Sequence, residues 1–128
     1  MEKGLTIEQC VDKAEGYISK QGICLLLFDV KGSTNFSDKT YLINCLQAMM
    51  QDLNSQFGDY FPENTLANSI TSEKGFNFLL GDASWTGINS SKAIPEIVTY
   101  QKQNYPNIPL YWGVAEDGFD KEGVKIAK

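Results

Sequence analysis

The chain has 128 residues, the length of one compact domain, of which 42% are hydrophobic and 12% aromatic. This composition can bury a core without disulfides or a structural metal. The net charge of −5 argues against nonspecific binding to nucleic-acid polymers or anionic lipid, so a phosphate ligand would have to be held locally. Because the sequence contains no histidine, His-based triads, His-ligated zinc and His general bases are excluded.

The three cysteines, Cys10, Cys24 and Cys45, form no C-x-x-C pair, which is typical of a reduced, intracellular protein. The longest apolar run, residues 23–28, is far shorter than the roughly 20 residues that a membrane-spanning helix needs. The start of the chain lacks the apolar core of a secretion signal. We therefore expect a cytoplasmic protein with no membrane partner.

The first third of the chain predicts a helix, a strand and a second helix. A capping box begins at Thr6, and apolar residues at helical spacing predict a helix over about 7–20, ended by Gly22. The apolar run over 23–30 predicts a central strand that is covered on both faces. Residues 41–57 place their apolar side chains on one helical face and predict the second helix.

The middle of the chain predicts a loop followed by a hairpin. Residues 59–74 have no clear period and are interpreted as a loop, with room for a short helix. Alternating residues over 76–80 and a further run over 83–88 predict two strands. Gly81-Asp82 between them predicts the tight turn of a hairpin.

The last third predicts a helix, a strand and a short final helix. Ser90 or Ser91 can cap a helix that tolerates Pro95 in its first turn. Residues 110–115 predict a strand, and residues 119–128 have weak helical spacing. No stop signal follows, which leaves open that the chain is a piece of a longer protein.

The order of these elements predicts an α+β fold of the ferredoxin-like or palm type. Strand-helix-strand-strand-helix-strand gives an antiparallel sheet of about four strands with helices packed on one face. The sequence contains no repeat and no linker, and we expect residues 1–128 to form a single domain, with the first helix at about 7–20.

The most informative segment surrounds Asp29, a carboxylate near the exit of the buried strand. The Gly32, Ser33 and Thr34 that follow could direct backbone amides at a phosphate near the start of the next helix. Alternatively, Asp29 and Ser33 only satisfy the amides of a turn. Lys31 could pair with a triphosphate or be solvated.

Asp82 in the predicted hairpin turn is the second candidate. A Gly-Asp tip alone is common turn chemistry, but a palm-like sheet places the first strand beside the hairpin and so brings Asp29 and Asp82 together. Two adjacent carboxylates repel unless a cation lies between them. Oxygen ligands of this kind suit Mg²⁺ or Mn²⁺, with substrate phosphates completing the coordination shell.

Two segments, FDVKGST at 28–34 and LLGDA at 79–83, resemble the class III nucleotidyl (adenylate and guanylate) cyclase domain. That family has a strand ending in F-x-D-I-x-G-[FS]-[ST] and a later hairpin with G-D-A. The resemblance extends over residues 25–88, with weaker agreement at 112–115 and 123–124.

The resemblance implies a two-metal site for a nucleoside triphosphate. Asp29 and Asp82 would be the ligands of two Mg²⁺ or Mn²⁺ ions, with the Val30 carbonyl beside them, and would carry the catalysis. The turn of residues 32–34 would cradle the triphosphate. The family also implies a homodimer with sites near the interface.

The sequence departs from the family at three places. The base-reading lysine of the family falls at Phe78, with Lys74 and Asn77 near but not equivalent. Lys125 stands at the position of an Asn, and the chain stops before an Arg that the family places four residues later. The usual C-terminal hairpin is also missing.

Related palms are similar in part, namely archaeal GTP cyclohydrolase III and the CRISPR-associated polymerase palms that make cyclic oligonucleotides. The G-G-D-D hairpin of the latter reads Leu-Gly-Asp-Ala here. Trp85, Tyr111 and Trp112 could stack on a base, although their positions on predicted strands favour core packing.

Two functions follow as hypotheses. The first is an enzyme that makes a cyclic nucleotide or cyclic dinucleotide signal and releases pyrophosphate. The second is a non-catalytic nucleotide- or partner-binding module, which the missing Asn and Arg favour. Hydrolysis of the kind that GTP cyclohydrolase III performs is a further alternative.

Overall fold

The structure is a computed structural model that describes residues 5–117. The predicted helix over 119–128, and with it Lys125, lies outside the described residues. Two short 3₁₀ turns, Ser33–Asn35 and Gly58–Tyr60, accompany the main elements. In chain order these are α1 (Ile7–Gln21), β1 (Cys24–Val30), α2 (Lys39–Phe57), α3 (Leu66–Thr71), β2 (Ala83–Ile88), α4 (Ala93–Asn104) and β3 (Leu110–Ala115).

The three strands form one antiparallel sheet in the order β2-β1-β3. The apolar strand β1 is therefore central, as predicted, and both of its neighbours run against it. This confirms the α+β class and is consistent with a ferredoxin-like arrangement, but within the described residues the sheet has three strands rather than about four.

The two faces of β1 belong to different parts of the core. Cys24, Leu26, Phe28 and Val30 join a large cluster with apolar residues of α1, α2 and α4. The intervening residues of β1, such as Leu25, join a smaller cluster on the opposite face, to which α3 contributes. The three long helices thus lie on one face, as predicted, whereas α3 covers the other. This second cover follows from the apolar character of both faces of β1.

The helix starts follow local capping chemistry. The Thr6 hydroxyl accepts a hydrogen bond from the Gln9 backbone amide at 3.1 Å, and the Gln9 side chain accepts one from the Thr6 backbone amide at 2.9 Å. These two bonds confirm the capping box. Helix α2 begins earlier than predicted because Asp38 accepts from the Tyr41 amide at 3.0 Å. The predicted serine cap of α4 is wrong, since Lys92 precedes the helix and makes no side-chain cap.

The first arm of the predicted hairpin is not a strand. Only Leu80 bridges Ala83 across the turn, with N–O distances of 2.8 and 3.2 Å. Phe76 instead lies fully inside the large cluster, where its backbone N–H and C=O bond the Asn54 side chain at 2.8 and 3.0 Å. Because Asn54 satisfies these groups, the segment at Phe76 does not need to pair with β2.

Helix α3 and the loop before it cover the outer edge of β2, where a fourth strand would pair. Asn68 accepts from the Gly87 amide at 3.3 Å and from the Thr86 hydroxyl at 3.1 Å. Beyond them, the Tyr60 carbonyl accepts from the Asn89 amide at 3.1 Å. Polar groups of a helix and a loop therefore replace the predicted strand. None of the helices within residues 5–117 has the length and apolar character needed to cross a membrane.

Candidate functional site

The Gly81–Asp82 turn projects beyond the start of β2. Gly81 has φ of 66°, and Asp82 is not among the described residues with positive φ. A positive φ at only the first central residue is the signature of a type II′ turn, which favours glycine there. Asp82 is half-buried in this turn.

Asp29 lies at the same end of the sheet as this turn. It pairs with Ala83 across β1 and β2, and Asp82 immediately precedes Ala83. Residues directly opposite in an antiparallel pair have Cα atoms about 4.5 to 5.5 Å apart. The register therefore brings the backbones of the two aspartates to the same end of the sheet. The half-buried Asp29 follows Leu25 and Leu27 along β1 at alternate positions, on the face that α3 covers.

The Val30 carbonyl is directed toward the hairpin side of β1. The Lys31 amide donates to the Pro109 carbonyl at 2.9 Å, so the odd-numbered residues of this stretch direct their backbone groups toward β3. Backbone groups alternate along a strand, and those of Val30 therefore point the other way, toward β2 and the turn of Asp82. The Val30 side chain is buried in the large cluster.

Residues 32–34, which the sequence predicts to bind phosphate, are here called the phosphate turn. They lie at a short 3₁₀ turn over Ser33–Asn35. Gly32 precedes it with φ of 60°, a left-handed conformation that glycine adopts without steric cost. The turn closes with the Phe36 amide donating to the Ser33 carbonyl at 3.1 Å, and Thr34 is exposed. The turn is therefore separate from the start of α2, where Asp38 already accepts from an amide.

A cleft of about 310 Å³, here called the Asp82 cleft, brings the phosphate turn and the hairpin turn together. Its lining residues are Ser33, Lys39, Leu42, Ile43, Gly81 and Asp82. Lys39 donates to the Ser33 carbonyl and so fixes an ammonium group beside the phosphate turn. The cleft thus combines a cation, a hydroxyl and a carboxylate, while Asp29 is adjacent by register but does not line it.

Lys39 is a lining residue that the sequence motifs do not indicate. The signal was its place six residues after Ser33, but only the fold of the intervening 3₁₀ turn shows that its side chain reaches back.

Lys31 lies elsewhere. Its ammonium is 5.1 Å from the centroid of the Tyr111 ring, and it lines a separate cavity of about 200 Å³ together with Lys102. The structure therefore does not bring Lys31 into the cleft with Ser33 and Asp82.

The tryptophans serve packing. Trp85 and Trp112 are both buried in the core, as favoured from their positions on strands. Phe78 is 39% exposed and packs edge-on against Trp85 with ring centroids 5.3 Å apart.

The oxygen donors at this end of the sheet fit a divalent cation only together with a phosphate ligand. Asp29, Asp82 and the Val30 carbonyl supply the oxygen ligands that Mg²⁺ prefers. Among residues 5–117 no three His, Cys, Asp or Glu side chains come together as a metal-binding group. Mg²⁺ commonly binds through one or two carboxylates with water and substrate phosphates in the remaining positions, so Asp82, which lines the cleft, would need a phosphate to complete the coordination shell, whereas the Asp29 side chain lies on the face of β1 that α3 covers.

No protein-family model matches the chain, and neither a curated protein nor a solved structure does.

Proposed function

We propose that the chain binds a nucleoside triphosphate with two Mg²⁺ or Mn²⁺ ions at the Asp82 end of the sheet and catalyses nucleotidyl transfer. The observation that carries this proposal is the convergence of Ser33, Lys39 and Asp82 in one cleft, with Asp29 adjacent by register. The carboxylates of Asp29 and Asp82 attract cations, and the Lys39 ammonium beside Ser33 attracts phosphate.

Each residue has a distinct part in the proposed site. Asp29 and Asp82 would hold the cations with the Val30 carbonyl, and Lys39 and Ser33 would hold the terminal phosphates. Gly32 allows the backbone to approach the ligand closely because it has no side chain. Bound cations would supply charge neutralisation, lowering the pKa of an attacking 3′-hydroxyl and stabilising the pyrophosphate leaving group.

The proposed product is a cyclic nucleotide or, with a second nucleotide as acceptor, a cyclic dinucleotide. Ile43 lines the cleft and is 39% exposed, and Leu80, next to the turn, is 43% exposed. Exposed apolar side chains at the cleft and next to it support the further proposal of a homodimer with its sites near the interface.

A second candidate is a module that binds the nucleotide without turnover. Phe78 favours it, because a ring packed on Trp85 cannot donate hydrogen bonds to a base as the family's lysine does. Binding through the metal and phosphate groups would remain possible without this lysine.

The experiment is incubation of the protein with ATP, GTP, CTP and UTP in the presence of Mn²⁺, with products identified by mass spectrometry. We expect pyrophosphate and a cyclic product from at least one nucleotide, and neither from a variant with Asp29→Ala and Asp82→Ala. Release of linear, hydrolysed products would indicate a hydrolase instead. If wild type and variant release equal amounts of pyrophosphate, or none, the enzyme proposal fails.

A further inference from the structure

A second cleft, of about 370 Å³, lies on the other flank of α2 and is here called the Cys45 cleft. Tyr41, Cys45 and Ala48 line it from the helix, at positions three and four residues apart that form one stripe. Lys39 and Ile43, which line the Asp82 cleft, form a different stripe. The two clefts therefore open on different flanks of one helix, and Leu42 between them is the lining residue that they share.

The lining of the Cys45 cleft is aromatic and aliphatic, with amides as its polar groups. Phe36, Leu42, Pro106 and Ile108 supply apolar surface beside the two tyrosines Tyr41 and Tyr105. Asn104 and Asn107 add side-chain amides that can both donate and accept hydrogen bonds. None of the residues that line this cleft is an Asp, Glu, Lys or Arg.

The wall of the cleft opposite α2 is held in place by buried and partly buried polar contacts. Gln101 is 1% exposed, and its amide donates to the Ile108 carbonyl at 2.8 Å. The Ile108 amide donates to the Tyr105 carbonyl at 3.0 Å, and the Tyr105 hydroxyl donates to Asp52 at 2.7 Å. Because these contacts fix the loop from α4 to β3, the cleft is preformed and a ligand would not have to order it.

We propose that the Cys45 cleft binds an uncharged aromatic ring compound with a hydrogen-bonding edge, of about the size of a purine. A ring can pack on Tyr41, Tyr105 and Phe36, and its polar edge can pair with Asn104 or Asn107. A charged ligand would lose its hydration without gaining a counter-charge from this lining. This site goes beyond the proposed function, since it shares neither aspartate with it.

Cys45 provides a direct reporter of occupancy. It lines the cleft and is partly exposed, whereas Cys10 and Cys24 are both buried. Burial raises the pKa of the Cys10 thiol, and burial raises the pKa of Cys24 to about 12, so neither is a thiolate near neutral pH. Since the sequence has 3 cysteines, alkylation of the native protein reports on Cys45.

The test measures the rate of Cys45 alkylation by iodoacetamide with adenine, naphthamide or naphthoate as probes. Naphthamide and naphthoate have the same ring system but differ in charge. Two-ring probes of this size bind with a Kd on the order of 1 mM. At about ten times the Kd, occupancy slows alkylation about tenfold. We expect this protection from adenine and naphthamide, and clearly weaker protection from naphthoate.

Ala48→Leu fills the cleft and should abolish the protection, while Gln47→Leu, an equally apolar change at the neighbouring exposed position outside the cleft, should preserve it. Circular dichroism and thermal unfolding check that both variants are folded, and Cys45→Ser checks that no other thiol reacts. The proposal is overturned if neither uncharged ring protects wild-type Cys45. Equal protection by naphthoate, or unchanged protection in folded Ala48→Leu, also overturns it.

Discussion

Asp52 accepts hydrogen bonds from two tyrosine hydroxyls, and this contact joins α2 to α4. Tyr100 donates to both of its oxygens at 2.9 and 3.0 Å, and Tyr105 donates to one at 2.7 Å. The hydrogen bond to Asp52 raises the pKa of Tyr100, and it raises the pKa of Tyr105 to about 12. The neutral phenols are therefore the forms that the folded state stabilises.

The pH dependence of stability should show this contact. Because the pKa of Tyr105 rises from 10.0 to about 12 on folding, its stabilisation is complete below pH 10 and is lost as the pH rises through 12. Near neutral pH we expect Tyr105→Phe to lower the free energy of unfolding by about 1 kcal/mol, since the group is partly exposed to solvent. Between pH 10 and 12 the variant should lose less stability than wild type does.

Urea unfolding at several pH values measures this difference, with Tyr60→Phe as the control. The Tyr60 hydroxyl makes no hydrogen bond within the part of the chain that the structure describes. A Tyr105→Phe variant that matched wild type at every pH would contradict the role given to Asp52.

The candidate site residues differ in how far the sequence could predict them. Asp29 and Asp82 were identified from the FDVKGST and GDA segments, and the register of β1 with β2 places them at the same sheet end. The sequence does not predict Lys39 as a site residue, because its contact with Ser33 depends on the fold of the 3₁₀ turn between them. Lys31 is adjacent to the turn in sequence, yet strand alternation directs its side chain toward Tyr111.

At the scale of elements, the approach of the loop before α3 to β2 depends on a glycine. A Cβ at Gly87 would lie 2.2 Å from the Thr65 side chain, which is buried and cannot easily move away. We expect Gly87→Ala to lower the free energy of unfolding by about 1 to 3 kcal/mol. Gly16→Ala is the matched control, because Gly16 lies inside α1 with open space around it. That change should stabilise the protein by about 0.5 to 1 kcal/mol.

Chemical denaturation of the two glycine variants beside wild type measures both effects. Opposite signs are the expected result. A Gly87→Ala variant as stable as wild type would contradict the close packing of Thr65 against Gly87.

The irregular course of the chain at Phe76 depends on a single side chain. Asn54 bonds both backbone groups of Phe76, so Asn54→Ala leaves a buried N–H and C=O without partners. We expect a loss of about 1 to 3 kcal/mol in the free energy of unfolding. Gln56→Ala, at an exposed position of the same helix, should change it by less than about 0.5 kcal/mol. Equal effects of the two substitutions would contradict the role of Asn54 in stabilising the chain at Phe76.

The same contact explains why only the second of the two predicted hairpin strands forms. Alternation over residues 76–80 does favour a strand, and Leu80 does bridge Ala83. The pattern carries no information that an asparagine 22 residues earlier bonds Phe76 first. Tertiary contacts of this kind override strand propensity.

For the whole molecule, the order and type of most elements followed from the sequence. The apolar run over 23–30 predicted a central strand covered on both faces, and β1 is that strand. What covers its second face was not predictable, because α3 spans only six residues, Leu66–Thr71, in a segment without clear period. Its position depends on Thr65 and Asn68 contacting β2, which no local pattern indicates.

We propose that the Asp82 end of the sheet binds a nucleoside triphosphate through divalent cations. Calorimetric titration of the protein with each of the four triphosphates, with and without Mn²⁺, tests this binding most directly. The variants are Asp82→Asn and, as a control with the same change of charge, Asp59→Asn at an exposed position beyond the far end of α2.

We predict Mn²⁺-dependent binding by wild type and Asp59→Asn, with affinity at least about tenfold lower in Asp82→Asn, equivalent to about 1.4 kcal/mol. Absence of metal-dependent binding in wild type, or equal affinity in Asp82→Asn, would contradict the claim.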